Sequence, residues 1–323
     1  SFFAAMEVPV VDLSLPSEQV VDAIGQACAV VGFFTLRGHG LDPQLVAEAQ
    51  AAAQAFFGQD EGGKGRYAAN GRAYGYFPRA SEALSNDDAD VATKPDLREA
   101  FSMGPQAGVP PHLRGAGVLA PVVQFCYQPT PWPPQLEQPL IRLFEVMSVI
   151  AERLLSLCGQ ALGLDAHYFE AACRHHCNSL RAIHYYPVEG PTAPGQLRCG
   201  AHSDTGSLTL LLPDSPGLQI KPRGASEWIP VCCPAESLVV NIGDLLQRVS
   251  NDKWVSTPHR VVVPEAEADR SRPRYSLVLF QILAADAVMQ SVGSDPKYPA
   301  VTQGEYLMGH FKRWGRNADQ SAL

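Results

Sequence analysis

The segment Cys199-Gly200-Ala201-His202-Ser203-Asp204-Thr205-Gly206 sets an imidazole and a carboxylate two residues apart, just before a run, Ser207–Leu212, that reads as a strand. One stiff segment can then offer two ligands to one ion. A third stands in Trp254-Val255-Ser256-Thr257-Pro258-His259-Arg260-Val261, where His259 opens another strand candidate and can meet the first two across a sheet. Two histidines and one carboxylate on one face of an ion leave the opposite face open, which suits non-haem iron(II) oxygen chemistry better than zinc. An H-x-D pair alone recurs by chance, so the signal is its combination with the distal His259. His39, His112, His167, His175, His176, His184 and His310 lack an equally good partner set. His176 with Cys173 and Cys177 forms a possible helical metal face that reads better as core packing, and adjacent Cys232 and Cys233 fit a buried strand end.

Arg274-Tyr275-Ser276 begins 15 residues after His259, room for a strand, a hairpin loop through Pro264–Pro273 and entry into the next strand. Residues two apart share a strand face, so Arg274 and Ser276 project together. A guanidinium fork beside a hydroxyl makes a carboxylate clamp, whose charge-assisted bonds contribute about 1.5–3 kcal/mol each. Phe280 has the same strand parity and can line a pocket or simply fill the core. Arg98, in Leu97-Arg98-Glu99, can meet a substrate carboxylate or pair with an acid at the surface.

The elements that must position these groups divide the chain in two. Val8–Asp12 is extended, Ser17 can cap a helix to about Val31, and Gly32 ends it; Phe33–Arg37 reads as a strand and Gly38-His39-Gly40 as a turn. Asp42-Pro43 supplies an N-cap and a first-turn proline for a helix over 43–57. Leu136, Leu140, Leu143, Met147, Ile150, Leu154 and Leu157 recur in steps of three and four, one apolar stripe of a long helix closed by Gly163. Asp165 then caps a shorter helix to about His176. From Leu180 the pattern changes to short Val-, Ile-, Leu- and Tyr-rich runs at 180–186, 207–212, 217–221, 238–242, 259–263 and 274–281. Such a series predicts two packed sheets with the helices outside them, in one domain. Its parts are a mainly helical region over about 1–178, a strand-rich catalytic core over about 179–290 and a C-terminal segment over about 291–323. Asn86–Thr93, Pro105–Gly117, Thr130–Pro134 and Pro187–Gln196 read as loops.

Composition narrows the function. A hydrophobic fraction of 46% with no apolar run of membrane length predicts a soluble protein, and a formal charge of -8 argues against nucleic acid or an anionic membrane as the main partner. A small-molecule substrate and a monomer are the expectation. The eight cysteines lack disulfide-scaffold or paired C-x-x-C spacing and read as reduced core thiols, and no secretory signal opens the sequence, so a cytoplasmic setting is expected.

Taken in order, Val8-Pro9-Val10-Val11-Asp12-Leu13, Gly32-Phe33-Phe34 with Gly38-His39-Gly40, Asp96-Leu97-Arg98-Glu99-Ala100-Phe101, Leu180-Arg181 through Tyr185-Tyr186-Pro187, the H-x-D with distal His259, and Arg274-x-Ser276 resemble the iron(II)- and 2-oxoglutarate-dependent dioxygenases related to isopenicillin N synthase. Asn241-Ile242-Gly243-Asp244-Leu245-Leu246-Gln247 and Ser250-Asn251-Asp252-Lys253 also match, so the resemblance spans nearly the whole chain. It implies a distorted double-stranded β-helix, or jelly-roll, core flanked by N-terminal and central helices. It also implies iron ligands His202, Asp204 and His259, and a 2-oxoglutarate carboxylate held by Arg274 and Ser276. Tyr185 matches a tyrosine that reaches the co-substrate's other end in many members, although Ile183 stands where plant members often carry Asn.

The implied reaction consumes dioxygen and 2-oxoglutarate, releases succinate and carbon dioxide, and oxidises a substrate C–H bond by hydroxylation, desaturation or ring closure. Halogenation is disfavoured because Asp204 fills the coordination place a halide would need. Two other readings remain at this point: an oxygenase of the same fold that takes its electrons from its substrate or ascorbate, and a binding or receptor protein that has lost the chemistry.

Overall fold

The computed structural model describes residues 7–84, 94–115 and 117–313; the loop expected at Asn86–Thr93 lies outside them. Among the described residues, twelve strands build the two large sheets. In chain order they are β1 Val10–Asp12, β2 Phe33–Arg37, β3 Gly75–Phe77, β4 Glu99–Met103, β5 Ser179–Tyr185 and β6 Leu197–His202. β7 Leu208–Pro213, β8 Leu218–Ile220, β9 Ile229–Pro230, β10 Leu238–Ile242, β11 His259–Val262 and β12 Arg274–Gln281 follow. The major sheet has the order β1-β2-β10-β7-β12-β5-β4-β3 and the minor sheet β6-β11-β8-β9. All pairings within them are antiparallel except β1 with β2. The mixed architecture and the large antiparallel sheets agree with the expected jelly-roll.

Alternation along the major sheet gives its two faces different work. On β12, Leu277 and Leu279 join a core shared with the helices, while Val278 and Phe280 belong to the cluster between the sheets. On β10, Leu238, Val240 and Ile242 face the helices and Val239 faces the other way. On β7, Leu208, Leu210 and Leu212 face the helices and Leu211 does not. The helices Ser17–Val30, Pro43–Phe57 and Pro134–Ala161 cover the first face. The whole expected stripe from Leu136 to Leu157 on the long helix is buried, each side chain contributing roughly 1.5–3 kcal/mol. No helix among the described residues is long and apolar enough to cross a membrane.

The helix over 43–57 and the strands Phe33–Arg37, Leu238–Ile242 and Arg274–Gln281 stand where the sequence places them, and Asp42 caps its helix by accepting from the Gln44 N–H. Several details differ. Pro16 takes the N-cap of the first helix without a side-chain cap bond, so Ser17 is its first residue and not its cap. The helix expected from Asp165 to His176 shrinks to Glu170–Cys173, because the Asp165 carboxylate accepts from the His167 N–H and closes a turn instead. β11 and β12 are not a hairpin: β11 pairs with β6 and β8, β12 with β5 and β7, so the 263–273 connection crosses between sheets and carries a short helix, Glu267–Arg270. The region before residue 179 also gives β1 to β4 to the major sheet. Cys232 is exposed and Cys233 half-buried, so the Cys232-Cys233 pair does not end a buried strand; the other six cysteines are buried, and all eight are free.

Candidate metal centre and co-substrate pocket

His202 ends β6 in the minor sheet, and two residues later Asp204 stands on the turn that leads into β7 in the major sheet. The pair therefore bridges the two sheets instead of sitting on one strand. His259 opens β11 and is registered directly opposite His202. The ligand atoms of the three side chains lie within 4.8 Å of one another, and this is the one such group among the described residues. Both histidine Nε2 atoms stand 3.8 Å from Asp204 Oδ1.

Hydrogen bonds aim these atoms. His202 Nδ1 lies 2.8 Å from the Gly200 carbonyl and His259 Nδ1 3.2 Å from that of Thr257, so each Nδ1–H donates to backbone and leaves Nε2 as the lone-pair nitrogen. Asp204 Oδ2 accepts from Thr209 Oγ1 at 2.6 Å and Asn241 Nδ2 at 2.8 Å, turning Oδ1 towards the histidines. The turn itself is clasped by the Asp244 N–H on the Asp204 carbonyl at 2.7 Å, and a Cβ at Gly243 would stand 2.2 Å from Gly206 O, so only glycine fits there. Phe33 meets the His259 ring edge-on at 5.4 Å.

Burial, with the neighbouring His202, pushes the His259 imidazole down to about 4, which keeps it neutral and ready to ligate at neutral pH. Burial works against ionisation of Asp204, but the histidines and the bonds from Asn241 and Thr209 overcome it and hold the carboxyl below its ordinary range. The donor set of two imidazoles and one carboxylate fits iron(II).

Arg274 is 2% exposed, and its Nε donates to the carbonyls of Ser215 at 3.0 Å and Pro216 at 3.2 Å. Its guanidinium lies over the Tyr185 ring, 4.8 Å from the centroid. Arg274 Nη1 and Ser276 Oγ are both buried without a hydrogen-bond partner among the described residues. Native interiors rarely leave a charged donor unmet, and a bound carboxylate satisfies both groups at once.

A cavity of about 550 Å³ runs between the sheets, lined by His202, Asp204, His259, Tyr185, Phe280 and Arg98 among others. Arg274 and Ser276 are not part of that lining; they continue the β12 face of Val278 and Phe280 beside Tyr185. Arg98 is not at the surface: it is 5% exposed and pairs with two acids inside the protein, Asp96 and Glu82. His176, Cys173 and Cys177 form no metal-holding group. Sequence reading assigned no role to Asn241 or Thr209, although Asn241 stands in a stretch that carried the family resemblance.

Residues 177–282 match the 2OG-Fe(II) oxygenase superfamily, and residues 8–135 match the N-terminal domain described as that of non-haem dioxygenase in morphine synthesis. The 2-oxoglutarate-dependent dioxygenase citB of Monascus ruber is 31% identical, over 82% of this chain and 78% of its own length. A full-length Neurospora crassa protein, crystallised in complex with alpha-KG, superposes with a TM-score of 0.79 at 26% identity, covering 95% of this chain and 96% of that one. JOX2 in complex with 2OG, Fe and JA gives 0.73 at 26%, covering 94% and 85%. With residues 8–135 and 177–282 matched by family models and the fold shared over 95% of the chain, the chain belongs to the 2OG-Fe(II) oxygenase superfamily and is an oxidoreductase that works with iron(II) and 2-oxoglutarate.

Proposed function

We propose that His202, Asp204 and His259 hold the iron(II), that Arg274 and Ser276 hold the distal carboxylate of 2-oxoglutarate, and that the rest of the cavity takes a small-molecule metabolite for C–H oxidation. The observation that carries this is the coincidence of three convergent ligand atoms with an unmet guanidinium and hydroxyl on neighbouring inward faces. Iron(II) and 2-oxoglutarate supply the oxidising power from dioxygen, with succinate and carbon dioxide as co-products.

The chain's own residues supply position. Gly200 and Thr257 carbonyls fix the two imidazole tautomers, and Asn241 with Thr209 keeps one Asp204 oxygen turned inward. Ser215 and Pro216 carbonyls hold the stem of Arg274, so its fork is set before the co-substrate arrives. Tyr185 lines the cavity and its ring lies under the Arg274 guanidinium, which suits a side chain that flanks the co-substrate. Phe280 gives the substrate space an apolar wall, and at about 550 Å³ the cavity is within the range of ordinary small-molecule sites. We further take the protein to be one functional domain that acts as a monomer, and its eight free cysteines suit a reducing compartment such as the cytoplasm. The test is 2-oxoglutarate turnover by iron(II)-loaded protein: succinate release that needs iron is expected, and iron-independent release or none at all contradicts the assignment.

A further inference from the structure

Two arginines and one glutamate line the cavity on its β4–β5 side. Arg98 stands just ahead of β4; its Nε donates to Asp96 Oδ2 at 3.2 Å, while Asp96 Oδ1 accepts from the Gly200 N–H at 2.8 Å, two residues ahead of His202. Arg181, on β5, lies over the Phe77 ring at 4.7 Å. Glu82 Oε2 serves both: it accepts from Arg181 Nη2 and stands 3.5 Å from Arg98 Nη2. That atom of Arg98 is buried and has no hydrogen-bond partner among the described residues, its ion pair with Glu82 being a long one.

One carboxylate oxygen divided between two guanidiniums leaves Arg98, with its five N–H donors, under-supplied with acceptors at a cavity wall. The same cavity offers Phe77, Leu84, Phe280 and Ile282 as apolar surface. Glu82 reaches the pair from a segment laid against β6: a Cβ at Gly200 would stand 1.5 Å from Leu84 O, so the close approach depends on glycine.

Resting on the function proposed above, we infer that Arg98 and Arg181 are the substrate-recognition site, that the substrate is a carboxylic acid with an apolar body, and that Glu82 is the internal counter-ion which the substrate carboxylate replaces. Arg98 is tied through Asp96 to the strand that ends at His202, so an acid seated on it lies on the metal's side of the cavity. The selectivity is for an anion of one charge: a second carboxylate would face Glu82, with no further arginine or lysine in the described lining to balance it.

The test uses iron(II) enzyme with 2-oxoglutarate under anaerobic conditions, and a panel of phenylalkanoic acids of increasing length, each with its methyl ester, with binding read by calorimetry. At least one acid is expected to bind about tenfold or more tightly than its ester, the difference one charge-assisted bond supports. In Glu82→Gln the acid should gain about threefold to tenfold while the ester is unmoved, because the competing carboxylate is gone. In Arg98→Gln the acid should lose its advantage over the ester. Equal binding of acid and ester to wild type, or no binding by any member, overturns the inference, and so does an acid affinity that Glu82→Gln lowers. The Glu82→Gln arm keeps the test open if Arg98→Gln does not fold. Succinate release by wild type in air, without any panel compound, reads the underlying function separately, so loss of acid preference with iron-dependent succinate intact refutes this site alone.

Discussion

The two faces of the major sheet each bury a charged side chain, Glu99 on one and Arg274 on the other, and the two differ in whether the charged group's own partners are present. On the helix side, Glu99 of β4 accepts from Lys64 at 2.7 Å and Tyr76 at 2.5 Å and meets His184 Nδ1 at 2.7 Å. Burial would raise this carboxyl, but those three bonds win and hold it at about 2. On the cavity side, Arg274 Nη1 and Ser276 Oγ have no partner among the described residues, and the Nε2 atoms of His202 and His259 converge on a point instead of on a donor. A buried charge whose partners are all built in specifies structure; one whose partners are missing specifies a ligand.

Removing metal ligands should separate the two faces most sharply. His202→Ala and Asp204→Ala are expected to fold, to lose nearly all turnover and most iron affinity, and to leave the apo melting temperature within a few degrees of wild type. Wild-type iron binding by either variant in an anaerobic titration would remove that residue from the ligand set.

On the other face the expected effect is on stability. Among the described residues Glu99→Gln leaves Lys64 with only the exposed Glu61 as an acidic partner, and it should cost about 3 kcal/mol or more in urea unfolding, with iron affinity retained. Because the folded carboxyl sits at about 2 against an ordinary 4.5, its contribution is whole above pH 4.5 and drains away as pH falls towards 2. The stability gap between wild type and Glu99→Gln should therefore close across that window, and a gap that stays constant would mean that charge is not its source.

Arg274→Ala should raise the 2-oxoglutarate concentration needed for succinate release at least tenfold at saturating iron, since about 1.4 kcal/mol is a factor of ten. Arg274→Lys should recover only part of this, because lysine keeps the charge and loses the planar fork. Ser276→Ala should give the smallest change, in the same direction, by removing one neutral donor. If Ser276→Ala exceeded Arg274→Ala, the hydroxyl and not the guanidinium would be the anchor.

What the sequence disclosed follows the same division. The stripe from Leu136 to Leu157 and the strands of residues 238–242 and 274–281 were legible because one face of each is apolar at a regular period. β6 was not, because Leu197-Arg198-Cys199-Gly200-Ala201-His202 lacks β-branched residues and contains a glycine, although it carries a metal ligand. The ligand types and the Arg274–Ser276 pair could be read from spacing, but the assignment of β11 and β12 to different sheets could not, since either topology fits the same connection. Nor could the partners of Arg98: whether an arginine meets acids inside or outside depends on where Asp96 and Glu82 fold, which its own neighbours do not encode.

The most direct measurement is an anaerobic crystal structure of the protein with iron(II) and 2-oxoglutarate. It should place the metal on Nε2 of His202, Nε2 of His259 and Oδ1 of Asp204, with the co-substrate's distal carboxylate on Arg274 Nη1 and Ser276 Oγ. A metal bound elsewhere, or a co-substrate that leaves those two atoms still without a partner, would contradict the assignment of the inner face to ligands.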